Sequence, residues 1–195
     1  MEKLANRIAD FFVLHRIVGI HMRDIYVFGA AITISYAICA AIALIVGLAF
    51  GVLFEVLLFF VSFTLLRTSA GGAHAEKFIV CAVISAGTIL LSAVCIKFIP
   101  PMAYMPVIVF SSIFSLTVIF ALAPFEHPNR PLTGTELTKF RKRSRLVVTG
   151  CVLISLSLYI LDLAKFGTCL SLGNLAASVS TIAAFINKKI RRRKK

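Results

Sequence analysis

"AICAAIALIVGLAFGVLFEVLLFF" occupies residues 37–60, and one charge, Glu55, interrupts it. The apolar run around it extends from about residue 26 to residue 66. That is roughly twice the ~20 residues needed to cross a ~30 Å hydrocarbon core. The run therefore reads as two spans, about 26–46 and 49–66, folded back at Gly47 and Gly51, because glycine accepts a tight reversal. Four more apolar blocks follow at about 78–99, 102–123, 146–164 and 168–187. Across all 195 residues the hydrophobic share is 59% and the mean hydropathy +0.97, beyond the roughly half that soluble domains reach. The expected fold is all-α: one integral membrane domain over 1–195 with about six transmembrane helices in the lipid bilayer.

A net charge of +13 would suggest a nucleic-acid partner in a soluble chain. Its distribution argues against one. With the N-terminus in the cytoplasm, six spans leave residues 1–25, 67–77, 124–145 and 188–195 on the inner side. Those segments hold 19 of the 21 Lys and Arg, and only Lys97 and Lys165 fall outside. This is the asymmetry of the positive-inside rule, and it predicts cytoplasmic N- and C-termini. The terminal "KKIRRRKK" reads as a basic cytoplasmic tail that anchors the topology and attracts anionic lipid. Five cysteines form neither a paired framework nor a Cys/His cluster with metal spacing, so no metal or redox site is expected. No secretory signal is expected either, because the first apolar block is too long and the preceding residues carry Glu2, Asp10 and Asp24.

Ahead of the first span, residues 2–23 read as one amphipathic helix. Leu4, Ile8, Phe11, Phe12, His15, Val18 and Met22 follow helical spacing, and Lys3, Asn6, Arg7 and Asp10 take the opposite face. Such a helix is expected to lie in the membrane interface; the alternative is a helix packed on the inner loops. Between the fourth and fifth spans, "PFEHPNRPL" (124–132) carries three prolines that oppose helix formation. Thr133 with Glu136 then resembles a capping box that starts the next helix. Lys139, Arg141, Lys142, Arg143 and Arg145 crowd that helix before it enters the bilayer. The run is either a solvated topology signal or a surface for an acidic segment of a substrate.

The other polar island, "RTSAGGAHAEKFIVC" (67–81), ends on a cysteine about one turn inside the third span. His74 precedes Cys81 by seven residues. On an unbroken helix the two would share a face yet lie roughly 10 Å apart along the axis, too far for proton exchange. Gly71 and Gly72 permit a reversal that folds the imidazole back toward the thiol. A histidine beside a cysteine generates the thiolate nucleophile, since the free thiol is only slightly ionised at neutral pH. Arg67 is then suited to hold a substrate carboxylate, or to pair with Glu76 and brace the loop. Glu76, Glu126 and Ser85 are the candidates for a third member. The competing account is plain: a wet loop between two spans, with Cys81 as packing. From the residues alone both stay open.

Taken together, Arg67, Gly71-Gly72, His74 and Cys81 resemble the signature of the accessory gene regulator protein B (AgrB) family. "PFEHPNRPL" with Glu136 and the basic run is similar to the Pro–Glu–Asn–Lys/Arg–Pro segment that family carries before its last two spans. Phe28-Gly29 stands where the family often has Tyr-Gly, and Ala73 where many members carry an aromatic residue. The resemblance implies a bacterial cell-membrane cysteine endopeptidase of peptide quorum sensing, with its active site at the cytoplasmic face. Its substrate would be an AgrD-like propeptide, cut through an acyl-enzyme thioester that an internal cysteine or serine then resolves to a cyclic thiolactone or lactone. On this resemblance Cys81 is the nucleophile and His74 its base and later acid. Arg67 and Gly72 match positions the family needs for activity. Beside the resemblance, Gly71, Glu76 and Ser85 are candidate supporting residues, and Glu126, Lys139, Arg141, Lys142 and Arg143 are expected to bind substrate. No cofactor or metal is implied. A homodimer follows from the family and not from these residues.

Two other classes fit a membrane chain of this composition: a small transporter and a partner-binding scaffold. A transport path ordinarily needs ionisable residues within its spans, and only Glu55 lies well inside one. Glu55 is expected to reach toward Arg67 or the site.

Overall fold

The computed structural model describes residues 2–70, 78–124 and 134–193. Among these, every regular element is helical: α1 Glu2–Leu14, α2 Arg23–Phe50, α3 Leu53–Ala70, α4 Phe78–Phe98, α5 Tyr104–Leu122, α6 Gly134–Ile160 and α7 Ala164–Arg193. Short 3-10 turns at Ile20–Met22 and Pro101–Ala103 lead into α2 and α5. Among the described residues five helices are long and apolar enough to cross a membrane: α2, α3, α5, α6 and α7 as far as Ile186. In α4 the shorter apolar stretch Val83–Phe98 is seen. Large apolar side chains such as Ile45, Leu91, Phe110 and Leu153 point outward, as helices bathed in hydrocarbon require. The chain is a multi-pass membrane bundle.

The fused apolar run does fold back. α2 ends with Gly51 in the left-handed conformation at φ 69°, and α3 starts two residues later. Gly47 stays helical, but a Cβ there would meet Leu53 Cα at 2.9 Å, so its missing side chain lets the returning helix pass. At the other end of α3 the polar residues Arg67–Ala70, read as loop from sequence, are helical. The Thr68 and Ser69 hydroxyls donate back to the Leu65 carbonyl, which satisfies them within the turn.

The amphipathic N-terminal helix is shorter than its periodicity implied. α1 stops at Leu14; Arg16 takes a left-handed φ of 56° and Gly19 is extended. The inward face of α1 is Ala5 and Ala9, both fully buried, while Leu4, Phe11 and Leu14 are exposed. α1 packs on α2, and Arg23 fixes the angle: its Nε donates to Asp10 at 2.7 Å and its Nη2 to Asn6 at 3.1 Å. At the far end of the chain, α7 continues through the basic "KKIRRR" to Arg193, so most of the expected tail extends the last helix.

α7 is the hub and packs on α3, α5 and α6. Between lipid-bathed helices the hydrophobic effect supplies little attraction, so close backbone approach through small residues does the work. At Gly173 a Cβ would fall on Ser62 Oγ and lie 2.5 Å from the Phe59 carbonyl oxygen. At Gly167 one would lie 2.6 Å from the Ser155 carbonyl. The Ser62 hydroxyl crosses this contact and donates to the Leu170 carbonyl at 3.0 Å.

The interior has two characters. Around α3 it is apolar: Cys39, Ala43, Val56, Phe59, Phe63 and Leu66 form one cluster. Between α5, α6 and α7 it is polar. Ser111, Ser112, Ser115, Ser155 and Asn174 are each no more than 6% exposed. Among the described residues the four serine hydroxyls have no hydrogen-bond partner and Asn174 has only the weak Cys151 thiol beside it, whereas Ser92, Ser171 and Ser178 bond back to the preceding turn. An unsatisfied interior polar group costs about 1–3 kcal/mol.

Candidate active site

The site begins with helix direction. α2 and α4 finish at the same end, where Lys97 lies 5.7 Å over the Phe50 ring. α3 and α7 start there too, joined by Lys165 Nζ donating to Glu55 Oε1 at 2.6 Å. At the opposite end α6 enters beside the close of α5, where Arg145 meets Phe120. The connections between α3 and α4 and between α5 and α6, which are the two polar islands, therefore leave from one end of the bundle. The two basic residues expected outside lie at the other end.

Arg67 sits in the last turn of α3, only 8% exposed, with its guanidinium 5.4 Å from the centre of the Phe63 ring. A charge this buried is tolerable only with partners, and an aromatic face is one. α3 runs to Ala70, α4 is described from Phe78 in the opposite direction, and residues 71–77 connect them. Cys81 is the fourth residue of α4. Ser85, one turn further on, is buried at 7% exposure; positions four apart share a helix face. Gly71, Gly72, His74, Glu76 and Glu126 lie outside the described residues, as does the Cys81 side chain. The expected pairing of imidazole and thiol thus falls outside them as well.

α6 begins at Gly134, which puts Glu136 at its third position, the place a capping box assigns to the acid; Thr133 lies outside the described residues. The basic run divides once folded. Lys139, Arg141, Lys142 and Arg143 are exposed, while Ser144 is fully buried and Arg145 is half-buried. Arg145 Nη2 donates to the Phe120 carbonyl at 3.3 Å, and its guanidinium stacks 4.9 Å over the Phe120 ring. It closes the last turn of α5 with a cation, the sign that a helix C-terminus favours. Glu55 does not reach toward Arg67. It lies in the first turn of α3, about 18 Å away along the axis at 1.5 Å per residue, and pairs with Lys165. Among the described residues no group of three His, Cys, Asp or Glu could hold a metal ion.

The family model described as "Accessory gene regulator B" matches residues 4–183. The chain belongs to the accessory gene regulator B family. The match takes in α1 to most of α7 and includes both polar islands. A protein named AgrB-like from Clostridium acetobutylicum is 30% identical over 142 residues, covering 73% of this chain and 66% of the relative. An AgrB-like protein of Clostridium perfringens is 27% identical over 135 residues, covering 65% of this chain and 61% of the relative. The chain thus aligns with less than two thirds of the length of either. No solved structure matches it.

Three features escaped the sequence reading. Arg145 looked like the rest of its run, and only the 3.6-residue register with buried Ser144 and Val148 sets it apart. The Arg23–Asp10 clamp spans 13 positions and leaves no local signal. Ser111, Ser112 and Ser115 did leave one, since they recur at helical spacing within an apolar block.

Proposed function

We propose that this protein is a membrane-embedded cysteine endopeptidase that cleaves the C-terminal part of an AgrD-type autoinducer propeptide. Cys81 attacks the carbonyl of the scissile bond while His74 takes the thiol proton. The tetrahedral adduct collapses to a thioester on Cys81, and His74 returns the proton to the departing amine. An internal cysteine or serine of the propeptide then displaces Cys81 and closes a cyclic thiolactone or lactone. Exchange between similar thiols is close to neutral in energy, so no cofactor is needed. Water must be kept from the thioester, or a linear acid results. Six spans with both termini in the cytoplasm place this chemistry at the inner face of a bacterial cell membrane.

The observation that carries the reading is membership in the AgrB family over 4–183, in a chain that keeps Arg67, Gly71, Gly72, His74 and Cys81. Further support comes from the fold. The two islands leave from one end of the bundle, residues 71–77 join antiparallel helices, and Cys81 stands in the first turn of α4. Co-expression with an AgrD-type propeptide tests it: Cys81→Ala should leave the precursor full length, and conversion by that variant would overturn the assignment.

The exposed face of Lys139, Arg141, Lys142 and Arg143 is suited to receive an acidic tail of the propeptide. Reversing all four to Glu should slow processing of an acidic-tailed propeptide by roughly tenfold. Exposed ion contacts contribute about 0.2–1 kcal/mol each, so four of them together amount to about 0.8–4 kcal/mol, a range that brackets the ~1.4 kcal/mol of a tenfold effect. Initial rates at low and moderate salt check this, with the gap narrowing as salt screens the contacts. Equal rates for both forms would remove the docking role.

A further inference from the structure

The polar seam between α5, α6 and α7 plays no part in the chemistry above. Three serines make up the middle of the inward face of α5, bounded by fully buried Ile108 and Ile119. Gly167 of α7 faces both Ile108 of α5 and the Ser155 carbonyl of α6, which sets the register of the three helices. α5 runs parallel to α7 and α6 antiparallel. One to two turns further along, Ser115 and Asn174 fall at a common level. Cys151 is at that level too, with its thiol beside the Asn174 amide. A thiol is a weak donor and a weak acceptor, so this contact leaves the Asn174 amide without a hydrogen-bond partner of ordinary strength among the described residues.

Tight membrane interfaces also use Ser and Asn as interhelical glue, but glue requires bonded partners. Ser62 to Leu170 is such a bond; among the described residues Ser111, Ser112, Ser115 and Ser155 make none, and Asn174 has the weak Cys151 thiol beside it. These buried groups can donate and accept and lie along about two turns of the seam, so they need ligands able to do both on a small scale. We propose that the α5–α6–α7 seam is an internal water site, with Asn174 its principal ligand and the Cys151 thiol on its wall. Water bound in protein interiors makes two to four hydrogen bonds to groups otherwise left unpaired, and hydroxyls and an amide from three helices supply that number. The seam lies apart from Cys81 and bears on helix packing, so it stands whether or not the peptidase reading does.

Cys151 is a built-in reporter. The full-length chain in native membranes, with Cys39, Cys81, Cys95 and Cys169 changed to Ala, is treated with a small charged methanethiosulfonate. Two controls repeat this in a Cys151→Ala background: Val56→Cys in the apolar core and Leu153→Cys on the lipid-facing surface. Cys151 should react at least about tenfold faster than either control, because reaction requires access of a water-borne reagent to the sulfur. All three should react alike after denaturation in SDS. Asn174→Leu, which keeps the bulk and removes the amide, should bring Cys151 down to the rate of the controls. If Cys151 reacts no faster than Val56→Cys, the seam is dry and the proposal fails. If Cys151 reacts fast but Asn174→Leu leaves its rate unchanged, the assignment of Asn174 as ligand fails.

Discussion

Replacing Cys81 by alanine, His74 by alanine, or both together should reduce propeptide processing by a similar factor, on the order of 10^4 or more. A nucleophile and its base act as one unit, so removing the second member after the first costs little more. Without the sulfur there is no acyl acceptor. Without the imidazole the thiol is largely protonated, and the leaving amine must depart without its proton. The other cysteines are internal controls. Cys39, Cys151 and Cys169 are buried and Cys95 is half-buried, and alanine at each should leave processing within about twofold, as small changes of volume in a core are tolerated best. If losses at His74 and Cys81 multiplied instead of coinciding, the two would be acting separately.

Gly173→Ala should be among the most destabilising single methyl additions in the bundle. The new carbon would fall on Ser62 Oγ and within 2.5 Å of the Phe59 carbonyl. The second contact is with backbone, so rotating a side chain cannot relieve it. Forcing atoms into a packed interior costs about 1–3 kcal/mol, and here two helices must separate. Ser62→Ala alone gives up the bond to Leu170, worth roughly 0.6 kcal/mol between membrane helices. The double variant should recover part of the Gly173→Ala loss and not all of it, because the Phe59 carbonyl remains in the way. Thermal unfolding midpoints in detergent read these differences. Equal midpoints for Gly173→Ala and the parent protein would show that α3 and α7 do not pack as described.

Much of this architecture was legible in the residues because a bilayer imposes a length. Apolar blocks near 20 residues became helices, and the glycines in the fused run mark the actual return, Gly51 by its φ and Gly47 by the space it leaves for Leu53. The errors share a physical origin. Periodicity continued through Val18 and Met22, but the backbone turns at Arg16 and Gly19, where spacing carries no information about direction. The face that α1 buries is Ala5 and Ala9, residues too small to register as hydrophobic. Glu55 was given the wrong partner because a carboxylate on a helix can be placed only when its end of the bundle is known, and Lys165 lies 110 positions away.

The site was legible in a different way. Cys81 and His74 stand out as chemistry in a chain of packing residues, and the likeness to the AgrB family rests on those few letters. The described fold adds context that spacing did not contain: Arg67 buried on Phe63, Ser85 buried one turn beyond Cys81, and Arg145 withdrawn from the basic face that Lys139, Arg141, Lys142 and Arg143 present.

The central claim is a covalent bond between Cys81 and the propeptide, and intact mass measures it most directly. The protein is co-expressed with a propeptide whose internal cysteine or serine is changed to alanine, so that no ring can close. The account predicts a species heavier by the N-terminal fragment, located on Cys81 by digestion and returned to the parent mass by neutral hydroxylamine. A propeptide that is still cut while Cys81 carries no adduct at any time point would contradict it.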